Sequence, residues 1–284
     1  MSTTTTRSAR VHTEPVRATR ALALTTYELR CSWRSLVVWS IVLVAVGSMY
    51  LSLYSGMADT FAADSEMMAA MPEELMNAFG GAAAMSTAAG YAQATYLGLL
   101  GFALASVAAI GWAGKAIAGQ EEAGDLELVL SHGVSRLDHY AQQSLALLIR
   151  VGALGAVSWA MIAGISEATD LDMDPAHIPA GVASLMALVL LAGVTALAAG
   201  AATGRKLWAS GTAAGVLVVS YMLNAIGSQS EDTEDLLPFS PYHWAYGNEP
   251  LANGWSPEVL GVVGLTVGIW LVGLADFTRR DLGH

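Results

Sequence analysis

Residues able to do covalent or metal chemistry are few in this chain, and none stands at a productive spacing. Gly114-Lys115 is the Gly-Lys pair a phosphate-binding loop requires, but that loop needs G-x-x-x-x-G-K-[ST], and Ala109 stands where the first Gly belongs and Ala116 where the hydroxyl belongs. No paired carboxylates and no Ser/His/Asp set come with a pocket to justify them. Cys31 is the single cysteine, which excludes an intramolecular disulfide and a thiolate cluster and reads as a neutral thiol beside a membrane. Six Met from Met57 to Met85 would suit a soft metal. They lack any accompanying His or Cys, and Met67, Met68, Met71, Leu75, Met76 and Phe79 are spaced for one helix face, so an interfacial amphipathic helix is expected. His243 has no second ligand at metal spacing and is expected to hydrogen-bond at an interface. The chain is expected to be no enzyme and to hold neither metal nor cofactor.

One stretch has the chemistry of a docking surface. GQEEAGDLELVLSHGVSR, Gly119 to Arg136, sits between two long runs with almost no charge. In helical register Leu126, Val129 and Leu130 share a face, and Glu121, Glu122 and Asp125 put negative charge near a helix start. Ser131-His132-Gly133 is a plausible helix end, with Gly available for a left-handed cap. Ser135 to Asp138 then has the form of a capping box with Asp in the usual Glu place, restarting a helix. Elsewhere in the apolar runs the main polar group is Ser220, Tyr221 and Asn224, which is costly to face lipid and is expected to point inward. Contact with a substrate and contact with neighbouring helices are both open for these three.

The elements that position these residues follow from composition. Of 284 residues 54% are hydrophobic and 13% charged, with a mean hydropathy of +0.50, far from soluble usage. At roughly 20 apolar residues per crossing, six spans are expected: 36–55, 93–114, 146–166, 179–203, 208–227 and 258–275. The runs lack period-2 alternation, so helices rather than a barrel must satisfy the backbone in lipid. The fold class expected is an all-α integral membrane protein. Residues 1–18 read as a disordered tail and 19–284 as a single six-span domain. Thr19 to about Arg34 reads as an amphipathic helix on the membrane surface, and no cleaved signal is expected.

The charges orient the bundle. With the amino terminus inside the cell, all 13 basic residues fall on the inner side, provided that Arg150 snorkels there. Of the 24 acidic residues, 15 fall in the three outer connections, giving an acidic outer face that reads as a solvated surface. Both termini are expected in the cytoplasm of a multi-pass cell-membrane protein, and the charge distribution offers nothing to nucleic acid. In the third outer connection Phe239, Tyr242, Trp244, Tyr246 and Trp255 suit headgroup depth. Pro238, Pro241 and Pro250 there predict short broken elements dipping into the membrane under protein cover. Ala192, Ala196, Gly200 and Gly204, and Gly264 with Gly268, permit close helix approach.

These features together resemble the permease subunits of type-2 ATP-binding-cassette (ABC) exporters, including those of drug and antibiotic efflux. The resemblance spans TYELRCSWRS, MPEELMNAFGG, AIAGQEEAGDLELVLSHGVSR and FTRRDLGH, and the third of these is the most specific. Glu121, Glu122, Gly124, Leu126, Glu127, Leu130, Val134, Ser135 and Arg136 match the family's pattern, while Asp125 replaces Thr and Gly133 replaces Pro. The resemblance implies a cytoplasmic coupling helix, from about Glu121 to Leu130 between the second and third spans, seated on a separate ATPase subunit. It implies two ATPase copies holding ATP and Mg, a second permease chain, the same or similar, and surrounding lipid. It also implies export of a hydrophobic or amphiphilic substrate, with Tyr221 and Asn224 near a path at the dimer axis. A membrane anchor that transports nothing, and a secondary transporter, are the other readings. The latter is disfavoured by the lack of charged groups at the span centres.

Overall fold

The computed structural model describes residues 22–57 and 87–280. The expected tail, MPEELMNAFGG and the Met-rich face lie outside the described residues. Helices make up nearly all of what is described, and no strand occurs among these residues. Six helices are long and apolar enough to cross a membrane: α1 (Ala23–Met57), α2 (Ala88–Glu122), α4 (Arg136–Ala168), α5 (Ile178–Thr203), α6 (Lys206–Gly227) and α9 (Val259–Arg279). The short α3 (Asp125–Ser131) separates α2 from α4. Two more short helices, α7 (Pro241–Tyr246) and α8 (Pro250–Asn253), precede α9.

Helix α5 is the hub. Apolar on every side, it is the one span that must be surrounded, and α2, α4, α6 and α9 pack around it. Its small-residue row does what the spacing predicted. Ala192, Ala196 and Gly200 are buried, and a Cβ on Gly200 would stand 3.2 Å from that of Ala118 on α2. The pair on α9 differs, since Gly264 and Gly268 face open space. No described residue packs against their face.

Two sequence expectations need correction. The amphipathic segment before the first span is not a separate surface helix. It continues unbroken into the span as α1, because no Gly or Pro interrupts Ala23 to Val46. At about 1.5 Å per residue its 35 residues extend about 52 Å, well beyond a hydrocarbon core of roughly 30 Å. Its first turns are held along α4, where Leu24 N donates to Gln142 Oε1 at 3.0 Å and Thr25 Oγ1 donates to the Gln142 carbonyl at 3.0 Å. Arg150 does not snorkel. It is 3% exposed and pairs with Glu28 of α1 at 3.3 Å.

The connection between α6 and α9, expected on the outer side, forms the short broken elements expected of its prolines. A 3-10 stretch, Glu231–Phe239, leads to α7, where Ser240 Oγ accepts from His243 N at 3.1 Å as a cap. The aromatic group divides: Phe239 and Trp255 are exposed, while Tyr242 and Tyr246 are buried. Their hydroxyls donate to the carbonyls of Gly98 at 2.9 Å and Leu97 at 2.7 Å, within a π-helical stretch of α2, Gln93–Leu100. Burial pushes both phenols up, so they stay protonated donors. Gly98 permits this approach, since a Cβ there would lie 2.6 Å from the Tyr242 hydroxyl. Gly98→Ala is therefore expected to lower stability by about 1–3 kcal/mol, while Gly111→Ala, facing open space, is expected to cost nothing. Thermal unfolding in detergent compares them, and equal melting points would show that Tyr242 is not seated there.

Candidate functional site

The segment from Lys115 to Arg136 lies at the end of the bundle where Arg205 and Lys206 begin α6 and Arg279 and Arg280 end α9. It is built as two helices, not one. Helix α2 runs through a second π-helical stretch, Lys115–Gly119, and ends with Gln120, Glu121 and Glu122. Gly124, at φ +78°, then takes the left-handed conformation that glycine adopts without penalty, and Asp125 starts α3. Glu121 and Glu122 thus stand at the tail of a span, whereas the spacing had placed them near a helix start. Gly133, at φ +83°, caps α3 as expected. Ser135 Oγ accepts from Asp138 N at 3.0 Å, starting α4 as the capping-box spacing implied.

Carboxylates at a helix C-terminus oppose the dipole, so each must find compensation elsewhere. Glu121 pairs with Arg280 just past the end of α9. The same guanidinium donates to the Ala201 carbonyl near the end of α5 at 3.0 Å. Glu122 Oε1 accepts from Lys206 N at 2.9 Å, placing negative charge on the positive end of α6. Gln120 Nε2 donates to Glu28 Oε1 of α1 at 3.1 Å. Arg136 completes the junction by donating to the carbonyls of Phe277, at 3.1 Å, and Arg280. Three consecutive side chains at the root of α3 therefore reach three different spans.

Helix α3 itself is tethered on one side and open on the other. Leu126 is 1% exposed, and Leu130 is half-buried against the core. Asp125, Glu127 and Leu128 are exposed, Leu128 at 62%. An open hollow of about 410 Å³ lies beside α3, lined by Lys115, Glu122, Asp125 and Lys206 among others. Val134 is half-buried and Ser135 exposed at the turn into α4.

The polar group on α6 is elsewhere. Ser220 lies 14 residues along from Lys206, about 21 Å by helical rise, and the junction does not include it. It is buried, its Oγ accepting from Tyr242 N at 2.7 Å and its carbonyl from Ser240 Oγ at 2.7 Å, so it pins α7 to α6. Tyr221 meets the Tyr242 ring edge-on at 5.3 Å, and Asn224 is half-buried. Gln120, Leu128, Arg280 and Glu28 were not among the site residues expected from the sequence, and Arg150 was expected to snorkel rather than to pair with Glu28. Leu128 alone had a signal, as the apolar residue off the Leu126–Leu130 face.

The fold and this junction define a polytopic, all-helical membrane protein, with six long apolar helices wired together beside a small exposed helix. The chain belongs to the family described as "Multidrug efflux system permease Rv1217c, C-terminal domain", whose model matches residues 20–278. No curated protein matches it at a significant level.

Proposed function

We propose that the chain is the permease subunit of an ABC exporter, moving a hydrophobic or amphiphilic substrate out of the cell with energy from a separate ATPase subunit. The observation that carries this reading is the junction: α3 presents Asp125, Glu127 and Leu128 outward, while the residues at its root reach α1, α6 and α9. A partner gripping α3 would pull on several spans together, as nucleotide-driven alternation between two arrangements requires. In this reading Glu121, Glu122, Gly124, Leu126, Leu130, Val134, Ser135 and Arg136 build and anchor the coupling element, and Asp125, Glu127 and Leu128 touch the ATPase. ATP and Mg belong to that partner, present in two copies. The basic end faces the cytoplasm of the cell membrane, in keeping with the positive-inside rule.

A second permease unit, from the same or a similar chain, completes the path. On α6, Val218, Val219 and Met222 are exposed, and Gly211 and Gly215 face open space at GxxxG spacing. Tyr221 and Asn224 would border the path there. The Glu28–Arg150 pair, its arginine buried and its glutamate largely so, gives the secondary-transport reading a foothold, since charge inside a bundle can serve ion coupling.

The test is retention of the ATPase. Leu128→Glu places charge on the exposed face of α3 and is expected to leave chain stability within about 0.5 kcal/mol while weakening partner binding at least tenfold, about 1.4 kcal/mol. Co-purification from membranes and stimulated ATP turnover read this out. Undiminished binding and turnover would remove α3 as the docking element, and uptake driven by a proton gradient without any ATPase would favour the secondary transporter.

A further inference from the structure

Glu28 sits at the centre of a polar cluster shared by three spans. Its carboxylate accepts from Gln120 Nε2 of α2 at 3.1 Å, from Gln143 Nε2 of α4 at 3.2 Å and from Arg150 Nη2 of α4 at 3.3 Å. His139, Gln143 and Arg150 fall on one face of α4 at helical spacing and are all at most 3% exposed. The Arg150 guanidinium also stands 5.7 Å from the Trp112 ring of α2, whose Nε1 donates to Ser35 Oγ of α1 at 3.0 Å.

This cluster offers more hydrogen-bonding groups than it uses. Among the described residues, Gln120 Oε1, Gln143 Oε1 and Arg150 Nε are buried without a hydrogen-bond partner. The His139 ring lies near the Ala116 backbone, in the π-helical stretch of α2, with neither nitrogen in a proper hydrogen bond. Buried polar groups are normally satisfied, and a half-used network is costly unless another arrangement uses it better. The unused atoms lie along the α2–α4 boundary, next to the residues that lead into α3.

We propose that Glu28 and Arg150 are positioning residues for transport, forming a latch whose hydrogen bonds are exchanged when α2 shifts against α1 and α4. Gln120 is the connection to α3, because it is covalently next to Glu121 and bonded to Glu28. The latch rests on the exporter reading above, in which a partner moves α3. Its two ends differ in kind: the charged pair holds α1 to α4 throughout, and the Gln120 and Gln143 amides reorganise around it.

The experiment uses the complex of this chain with its ATPase in proteoliposomes, with a fluorescent hydrophobic cation as transport probe, recording probe moved per ATP hydrolysed. Glu28→Gln is expected to lower that ratio at least tenfold while the ATPase stays bound. The double variant Glu28→Leu with Arg150→Met decides between latch and strut. Replacing a buried ion pair by apolar residues of similar volume usually preserves or raises stability, so a strut would transport normally in that form, whereas a latch would fold, bind and remain uncoupled. A wild-type ratio in the double variant overturns the proposal even if Glu28→Gln fails to fold. Failure of the unmodified chain to bind any ATPase would instead overturn the exporter reading and leave the latch without its driver.

Discussion

Leu126→Asp is expected to release α3 from the bundle and, with α3 the docking element proposed above, to reduce ATPase retention by about two orders of magnitude, or about 2.8 kcal/mol of binding free energy. Helix α3 has seven residues, too few to be stable without packing. Its fully buried apolar side chain is Leu126, supported by the half-buried Leu130. A carboxylate in that site must either lose hydration or leave, and the tether at Gly124 makes leaving easy. The spans have their own core around α5, so melting in detergent should fall much less than binding does. Immobilised-chain capture of the ATPase and a melting curve on the same sample separate the two effects. A variant that keeps its partner within threefold would mean that the position of α3 is set by something other than Leu126.

Arg150→Ala should have the largest effect on the bundle itself, about 3–5 kcal/mol. The loss is mostly the penalty of leaving Glu28 charged and four-fifths buried. Gln120 and Gln143 still donate to the carboxylate, but neutral amides do not replace the charge. Combining it with Glu28→Gln removes the stranded charge and should restore more than half of the lost stability. Arg150→Lys should fall between the two, because an ammonium keeps the charge and loses the planar fork over Trp112. Chemical unfolding of the four proteins in one detergent orders them, and an Arg150→Ala variant as stable as the parent would show that the pair contributes nothing.

The spans were legible because length and apolarity suffice to define them: the run at 179–203 differs from the helix Ile178–Thr203 by a single residue. The caps at Gly133 and Ser135 were legible for a similar reason, since each is a local requirement of backbone geometry. What could not be read was which partner satisfies which polar group. Glu121 and Glu122 look alike in sequence, yet one meets a guanidinium 159 residues away and the other an amide 84 residues away. Arg150 looked like a snorkelling residue because its partner, Glu28, lies on what composition marked as a surface helix. The break at Gly124 was hidden by continuity, since the acids before it and the leucines after it together imitate one amphipathic helix.

The π-helical stretch Lys115–Gly119 carries a further consequence, one of angular phase. Each wide turn takes up an extra residue, and one residue in an α-helix corresponds to about 100° of rotation. Everything beyond Gly119 is therefore turned relative to the face that packs on α5 above it. Gln120, Glu121 and Glu122 point to α1, α9 and α6 only in this rotated setting. A regular α-helix through Lys115–Gly119 would turn all three side chains off their partners together. The stretch thus sets the bearing of everything attached beyond it, and so decides which neighbour each of the three side chains meets.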